Sequence, residues 1–365
     1  MKITFVLPHA SLAGGIRVVA IYAELLRERG HELFIVSWPD KPAPRRQRLK
    51  SLLLDGHCGE NKHTVSHLDP LYYIPHRILD SRRPVTDADV PDADVVIATW
   101  WETAEWVAAL SPSKGAKAYF IQHNEASFDY LPQSRVEKTY LLPLQKITIS
   151  NWLVDLMKTK YDDTDVPLVF NSVDTKQFHS IARSKQAYPT VGMLYSPVYW
   201  KGCDISLKAL DLVRKQFPEL KLIAFGADDI ANELPLPEAT EYFKQPAQES
   251  ISDIYNRCDV WLCGSRAEGF HLPPLEAMAC RCPVVSTAVG GPADIIINGE
   301  NGYLAPVEDF VALAEHLITV LGISNKEWTS MSNAAYKTAI DYTWDNACDL
   351  FEQALQQTIE KSKLL

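Results

Sequence analysis

The chain has 365 residues, 47% of them hydrophobic and 22% charged, the balance of a globular protein with enough length for two domains that each bury a core. A formal charge of −10 argues against a general nucleic-acid binder, because phosphate backbones call for a basic footprint. No apolar run approaches the roughly 20 residues that span a bilayer, and the apolar stretch after Lys2 ends at Pro8, so neither a spanning nor an exported chain is expected.

In chain order, residues 2–7 are a short apolar β-rich run, Gly14-Gly15 makes a turn, and a helical pattern then runs to Arg29 and stops at Gly30. Residues 32–37 are strand-like again, and strand, helix, strand is the unit of a parallel sheet. Residues 39–92 break the rhythm with prolines and polar residues, offering only a weak helix at 49–54, and read as an excursion from the sheet's edge. Strand-like runs resume at 95–98, 118–122, 146–150 and 168–170, with helical stretches such as 151–160 between them, which predicts a doubly wound first domain.

A second domain begins between about 172 and 188 and alternates strand 190–193, helix 202–216, strand 220–225, helix 248–257, strand 260–263, helix 273–279 and strand 283–286. Residues 309–321, 327–341 and 346–361 are helical with no strand after them, so the tail is expected to pack across both domains. The seven cysteines (Cys58, Cys203, Cys258, Cys263, Cys280, Cys282, Cys348) lack paired C-x-x-C spacing and read as reduced thiols of a cytoplasmic protein.

Ligands of open parallel sheets bind beyond the carboxyl ends of the strands. Gly14-Gly15 lies there, where a missing Cβ lets backbone N–H groups and a helix N-terminus approach a phosphate. Taken alone such a pair is more often a tight turn, and neither G-x-G-x-x-G nor G-x-x-x-x-G-K-[ST] occurs, which counts against a dinucleotide dehydrogenase and a P-loop NTPase. Asp87-Ala88-Asp89 and Asp92-Ala93-Asp94 tempt a metal reading but precede the strand at 95–98, at its wrong end for ligand binding, and no other segment has the oxygen-rich pattern of a magnesium or manganese site.

The segment with most chemistry is Ser265-Arg266-Ala267-Glu268-Gly269-Phe270-His271-Leu272-Pro273-Pro274-Leu275-Glu276, directly after the strand at 260–263. Glu268 falls in the loop and Glu276 about one turn into the helix opened by the two prolines, so both can face a ligand over the helix N-terminus and accept from vicinal hydroxyls of ribose or hexose. Two acids eight positions apart are by themselves ordinary surface content.

The surrounding residues resemble glycosyltransferase family 4, the retaining enzymes of the GT-B fold. Glu268-Gly269-Phe270, Glu276 through Cys280, Pro283-Val284-Val285, Gly290-Gly291, Asn298 through Leu304, Asn171 through Asp174, Lys201-Gly202 and Tyr342-Thr343-Trp344 follow that family's order and spacing. The resemblance is nearly complete in the second domain and thinner in the first, where Gly14-Gly15 and His123 carry it. It implies two Rossmann-like domains facing a cleft, an acceptor-side domain at 1–172 completed by a crossing-back helix at 344–365, and a nucleotide-sugar domain at 173–343, with closure hinged near residues 171–174 and at the crossing into the last helix.

The same resemblance implies a metal-independent, cofactor-free transfer of a hexose or deoxyhexose from a nucleotide diphosphate sugar to a glycan, lipid-linked or small-molecule acceptor in polysaccharide or cell-envelope synthesis. Glu276 would hold the ribose, Glu268 the donor sugar, and Lys201 the diphosphate, with Gly14, Gly15, Gly269, Phe270, His271 and Leu272 completing the donor cradle. His123 would reach the sugar, with Asn124 and Glu125 as acceptor candidates and His9 a weaker one. Front-face attack, with the leaving diphosphate taking the acceptor's proton, would retain configuration without a side-chain base.

Three positions depart from the family's pattern. Met193 stands where an arginine usually pairs with the lysine, and Arg266, or else Arg17, is expected to supply the missing cation. His271 replaces a common glycine, and its ring could contact the donor or point away. Arg281-Cys282 replaces a glycine-containing pair and would reshape a turn. The excursion carries Lys41, Arg45, Arg46, Arg48 and Lys50 without an acid, either a solvated loop or a patch that docks on an anionic membrane or lipid diphosphate. Competing readings are a GT-B sugar-nucleotide epimerase and a noncatalytic sugar-nucleotide-binding subunit, the latter supported by Met193 alone.

Overall fold

The computed structural model describes residues 1–39 and 65–364. The basic run from Lys41 to Lys50 and the weak helix at 49–54 lie outside the described residues. The chain divides into two compact units, the first made of Met1–Thr148, Leu153–Val169 and Cys348–Leu365, the second of Ile149–Trp152 and Phe170–Ala347.

The first unit holds strands β1 (Lys2–His9), β2 (Glu32–Trp38), β3 (His76–Ile78), β4 (Val95–Ala98), β5 (Ala116–Ile121) and β6 (Gln145–Thr148). They pair in parallel in the order β3-β2-β1-β4-β5-β6. Its helices are α1 (Gly14–Glu28), α2 (Trp101–Ala109), α3 (Gln133–Tyr140) and α4 (Asn151–Tyr161). Central strands are buried along their whole length, as β4 is, which is why they read as unbroken apolar runs instead of alternating ones.

The second unit holds β7 (Thr190–Leu194), α5 (Cys203–Gln216), β8 (Lys221–Gly226), β9 (Glu241–Lys244), α6 (Ile251–Asn256), β10 (Val260–Cys263), α7 (Leu272–Ala279), β11 (Val284–Thr287), α8 (Gly290–Ile295), β12 (Gly302–Ala305), α9 (Phe310–Gly322) and α10 (Asn325–Ile340). Its sheet order, β12-β11-β10-β7-β8-β9, is the first unit's order repeated, so both sheets reverse direction between their first and fourth strands. One face buries Val191, Met193, Leu262 and Val285 against Ala209, Leu210 and Val213 of α5 and Leu313, Leu317 and Val320 of α9. Trp261 points to the other face, where its ring lies 4.6 Å from that of Tyr255.

The last helix, α11 (Trp344–Leu364), leaves the second unit and completes the first. Phe351 stacks 4.4 Å from Tyr22 and lies tilted 5.1 Å from Phe120, filling the first unit's core, and Asp349 meets Arg29 at 2.5 Å. This is the crossing-back helix that the sequence implied. No helix among the described residues is long and apolar enough to cross a membrane.

The expected strand at 168–170 is not one: Leu168 makes a single bridge to Thr148. Pro167 supplies no N–H to extend a ladder at that point. Conversely β3, β9 and β12 were not read from the sequence, and all three are edge strands: β3 and β9 have no buried residue, and β12 is buried only at Gly302 and Ala305.

Candidate active site

In the second sheet β7 and β10 are hydrogen-bonded neighbours although α5, β8, β9 and α6 lie between them in the chain, and the crevice beyond their carboxyl ends is where such sheets bind ligands. Lys201 lies in the turn Tyr199–Lys201 that follows β7. The loop that follows β10 carries Ser265, Glu268 and His271. Gly202 joins the two: it sits at φ +57°, and a Cβ there would fall 1.8 Å from the Gly264 carbonyl oxygen. Only glycine both takes the left-handed conformation without penalty and lets the Lys201 turn press onto the exit of β10.

That approach delivers Lys201 to Glu268. The ammonium Nζ donates to both carboxylate oxygens, at 3.0 Å to Oε1 and 2.9 Å to Oε2. Ser265 Oγ donates to Oε1 at 2.8 Å, and His271 Nδ1 lies 3.0 Å from the same oxygen. Glu268 is only 6% exposed, so an ionised carboxylate here depends on these donors. Burial would push its carboxyl up, but the neighbouring His271 and Lys201 outweigh burial and hold it below the usual carboxylate range.

His271 is the residue before α7 and takes φ +72°, a left-handed conformation that costs a non-glycine residue. Its ring is buried, with Nδ1 on Glu268 and Nε2 3.3 Å from Cys263 Sγ, the last residue of β10. Of the two orientations open to this side chain, the structure has the ring turned inward onto the carboxylate. Gly269 and Phe270 are buried beside it, and the half-buried Leu272 opens α7 ahead of Pro273-Pro274. Proline in the first turn forgoes an N–H that no helical carbonyl would have taken.

Glu276 lies within α7 and is 4% exposed; Tyr255 of α6 donates its phenol to Oε2 at 3.0 Å. Burial and the adjacent Glu276 push the Tyr255 phenol well up, so it stays a donor. Tyr255 had no signal in the sequence, being 21 positions away and on a different helix. Ser265 opens the motif and Cys263 ends the strand before it, but neither had an assigned role, and the S-x-x-E spacing of Ser265 and Glu268 is the signal that could have found the first.

Arg266 corrects an expectation. Its guanidinium is gripped by Asp204, at 2.7 and 2.8 Å, by Glu308, and by the Tyr199 carbonyl at 2.8 Å, so it ties the loop to α5 and is not a spare cation for a diphosphate. Met193 is 1% exposed in the apolar face described above, where a methionine packs without a charge to satisfy. Arg281 follows α7 at φ +57° with its backbone N–H on Met278, and its side chain reaches the Ser180 carbonyl and covers Tyr336 at 4.1 Å. The turn keeps the left-handed closure usual for glycine and gains side-chain ties.

In the first unit, exposed Gly14 and half-buried Gly15 open α1, and Gln122 Nε2 donates to the Gly15 carbonyl at 3.2 Å, tying the glycine turn to the residue before His123. The His123 ring stacks on Phe128 with centroids 4.7 Å apart. Asn124 is half buried at the start of a short 3-10 turn. Glu125 does not fit the acceptor role expected of it: it is 2% exposed, accepting from the Trp101 N–H at 2.7 Å and the Tyr119 hydroxyl at 3.2 Å. It caps α2, and burial pushes its carboxyl up to about 8 against those two hydrogen bonds. The aspartates before β4 are likewise engaged in structure, Asp89 with Arg83 at 2.6 and 2.8 Å, Asp87 with the Ser111 N–H, Asp92 with Lys114, and Asp94 with the Lys2 N–H.

Residues 174–338 match the family model described as glycosyl transferases group 1. The second unit belongs to the glycosyl transferases group 1 family. The D-inositol 3-phosphate glycosyltransferase of Stackebrandtia nassauensis is 29% identical over 165 residues, which are 41% of this chain and 37% of that enzyme. The chain is therefore matched to well under two thirds of the length of that relative. Among solved structures, sucrose-phosphate synthase from Thermosynechococcus elongatus superposes with a TM-score of 0.73 at 16% identity, over 99% of this chain and 100% of that one. HepE from Anabaena, solved in complex with UDP and glucose, gives 0.72 at 16% identity over the full length of both. These likenesses show the fold, two parallel six-stranded sheets flanked by helices, which is that of the GT-B group 1 transferases.

Proposed function

We propose that the chain is a retaining glycosyltransferase that takes a hexose or deoxyhexose from a nucleotide diphosphate sugar bound in the second unit. The observation that carries this reading is the convergence of Lys201, Ser265, Glu268 and His271 at the carboxyl ends of β7 and β10, ahead of the N-terminus of α7, inside a group 1 transferase domain. Lys201 and the helix N-terminus offer positive charge to a diphosphate and to the nucleotide that leaves. Glu268 offers carboxylate oxygens to the sugar's hydroxyls, and Glu276, already oriented by Tyr255, offers its own to the ribose.

These roles need no metal ion and no side-chain base, the leaving diphosphate accepting the acceptor's proton as the new bond forms on the same face. His123 and Asn124 are assigned to the sugar and acceptor side, and Glu125 is not, since its oxygens hold α2. The acceptor is a glycan, lipid-linked or small-molecule hydroxyl compound. Docking on an anionic membrane through Lys41, Arg45, Arg46, Arg48 and Lys50 belongs to the same proposal, and unchanged liposome binding after neutralising all five would remove it.

The experiment is slow donor hydrolysis without acceptor, read as nucleoside diphosphate release from a panel of sugar nucleotides. One donor is turned over by the wild type and not by Glu268→Ala. Binding without hydrolysis or transfer would instead favour a noncatalytic sugar-nucleotide subunit.

A further inference from the structure

The acceptor capacity of Glu268 is unevenly distributed. Oε1 takes contacts from Lys201, Ser265 and His271, whereas Oε2 takes one from Lys201. A carboxylate has about four lone-pair sites, so with these four contacts the group is close to saturated and has little room for a sugar hydroxyl. Lys201 is also the partner most able to leave: its side chain is 28% exposed, while those of Ser265 and His271 are buried. A dianionic diphosphate arriving at the crevice competes for the same ammonium, and when the lysine turns to it, Oε2 becomes free.

A buried carboxylate that loses its cation would normally take up a proton or swing away. His271 meets both needs. Its Nδ1 stays on Oε1, and Cys263 Sγ at 3.3 Å from Nε2 holds the far side of the ring, so the imidazole is fixed from two directions. With its proton on Nδ1 the ring donates to Glu268 Oε1, as a neutral imidazole or as a cation. The backbone at φ +72° is the conformation that brings the ring inward from the helix start.

We propose that His271 is the positioning residue that keeps Glu268 ionised and aimed at the donor sugar once Lys201 is drawn to the diphosphate, freeing Oε2 for a sugar hydroxyl. This rests on the nucleotide-sugar reading above. His271 acts through Glu268 and does not itself touch the reacting atoms.

The test separates this role from a structural one. His271→Gly accepts the positive φ without strain but removes the donor; His271→Asn tolerates the same backbone and returns an amide N–H near the Nδ1 position. Wild type and both variants are titrated calorimetrically with matched pairs, UDP with UDP-glucose and GDP with GDP-mannose. For the pair that binds the wild type, His271→Gly should lose about tenfold of the preference for the sugar nucleotide over the bare nucleotide, with bare-nucleotide affinity held within about twofold, and His271→Asn should restore it. A preference unchanged in His271→Gly overturns the proposal, as does an equal loss for both members of the pair, which would make His271 a diphosphate ligand.

A second readout needs no ligand. In protein labelled with 15N-histidine, the His271 ring should carry its proton on Nδ1 and shift on Glu268→Gln; a ring that ignores that substitution overturns the proposal. If no pair binds the wild type while the ring does respond, it is the donor reading that has failed, and the positioning role falls with it.

Discussion

The Lys201 ammonium straddles the Glu268 carboxylate, 3.0 Å from one oxygen and 2.9 Å from the other, with the lysine side chain 28% exposed and the glutamate side chain 7%. The pair is asymmetric: water can still reach the cation, but the anion relies on protein donors. Removing the lysine therefore strands a buried charge, softened by Ser265 and His271 on Oε1. Lys201→Ala should lower stability in urea unfolding by about 1–3 kcal/mol. Adding Glu268→Gln to Lys201→Ala should recover part of that loss; purely additive effects would mean that the two do not interact.

Acid stability should report Glu268. Its carboxyl titrates below the ordinary 4.5 in the folded protein, so the folded state holds fewer protons than the unfolded one as pH falls from 4.5. The contribution is complete above 4.5 and is lost as pH drops through the lower folded value. Urea midpoints of wild type should fall more steeply than those of Glu268→Gln across that acid window, and parallel slopes would show that the carboxylate is not held by its partners.

Glu125 has the opposite sign. With its carboxyl raised from 4.5 to about 8 by burial, the folded protein holds the extra proton, and stability declines as pH rises between those values. Glu125→Gln keeps an acceptor for the Trp101 N–H and removes the titration. The substitution should flatten the slope between 4.5 and 8 and leave the variant more stable than wild type on the alkaline side, as read by unfolding midpoints in a pH series.

The Tyr255 phenol donates to Glu276 Oε2 at 3.0 Å. Tyr255→Phe should cost about 1 kcal/mol of stability and weaken nucleoside diphosphate binding several-fold, through a carboxylate less well held, with sugar preference unchanged. Calorimetric titration of the variant with bare and sugar nucleotides distinguishes this from a general loss of packing.

The central strands and the carboxylate segment were legible because their physics is local. Residues 95–98 and 260–263 are buried on both faces and spell that burial out as continuous apolar runs, and the Ser265 to Glu276 loop follows such a run directly. The edge strands β3, β9 and β12 lacked that run, and Leu168 looked like a strand but gained only one bridge. Side-chain partners were the least legible. Nothing local said that Arg266 would be taken by Asp204, 62 positions away, or that Glu125 would turn inward to cap α2, since both pairings exist only after the elements pack. The inward ring of His271 was likewise undecided until the loop and β10 placed Glu268 and Cys263 on either side of it.

The most direct measurement of the central claim is thermal unfolding of wild type and Glu276→Ala across a panel of UDP, GDP, dTDP and ADP sugars. A donor present at 100 times its dissociation constant adds about 2.7 kcal/mol to stability, so one sugar nucleotide should raise the wild-type Tm clearly and leave Glu276→Ala nearly unmoved. No rise with any member of the panel, or a rise of equal size in Glu276→Ala, would contradict a sugar nucleotide held in the second unit by this pair of glutamates.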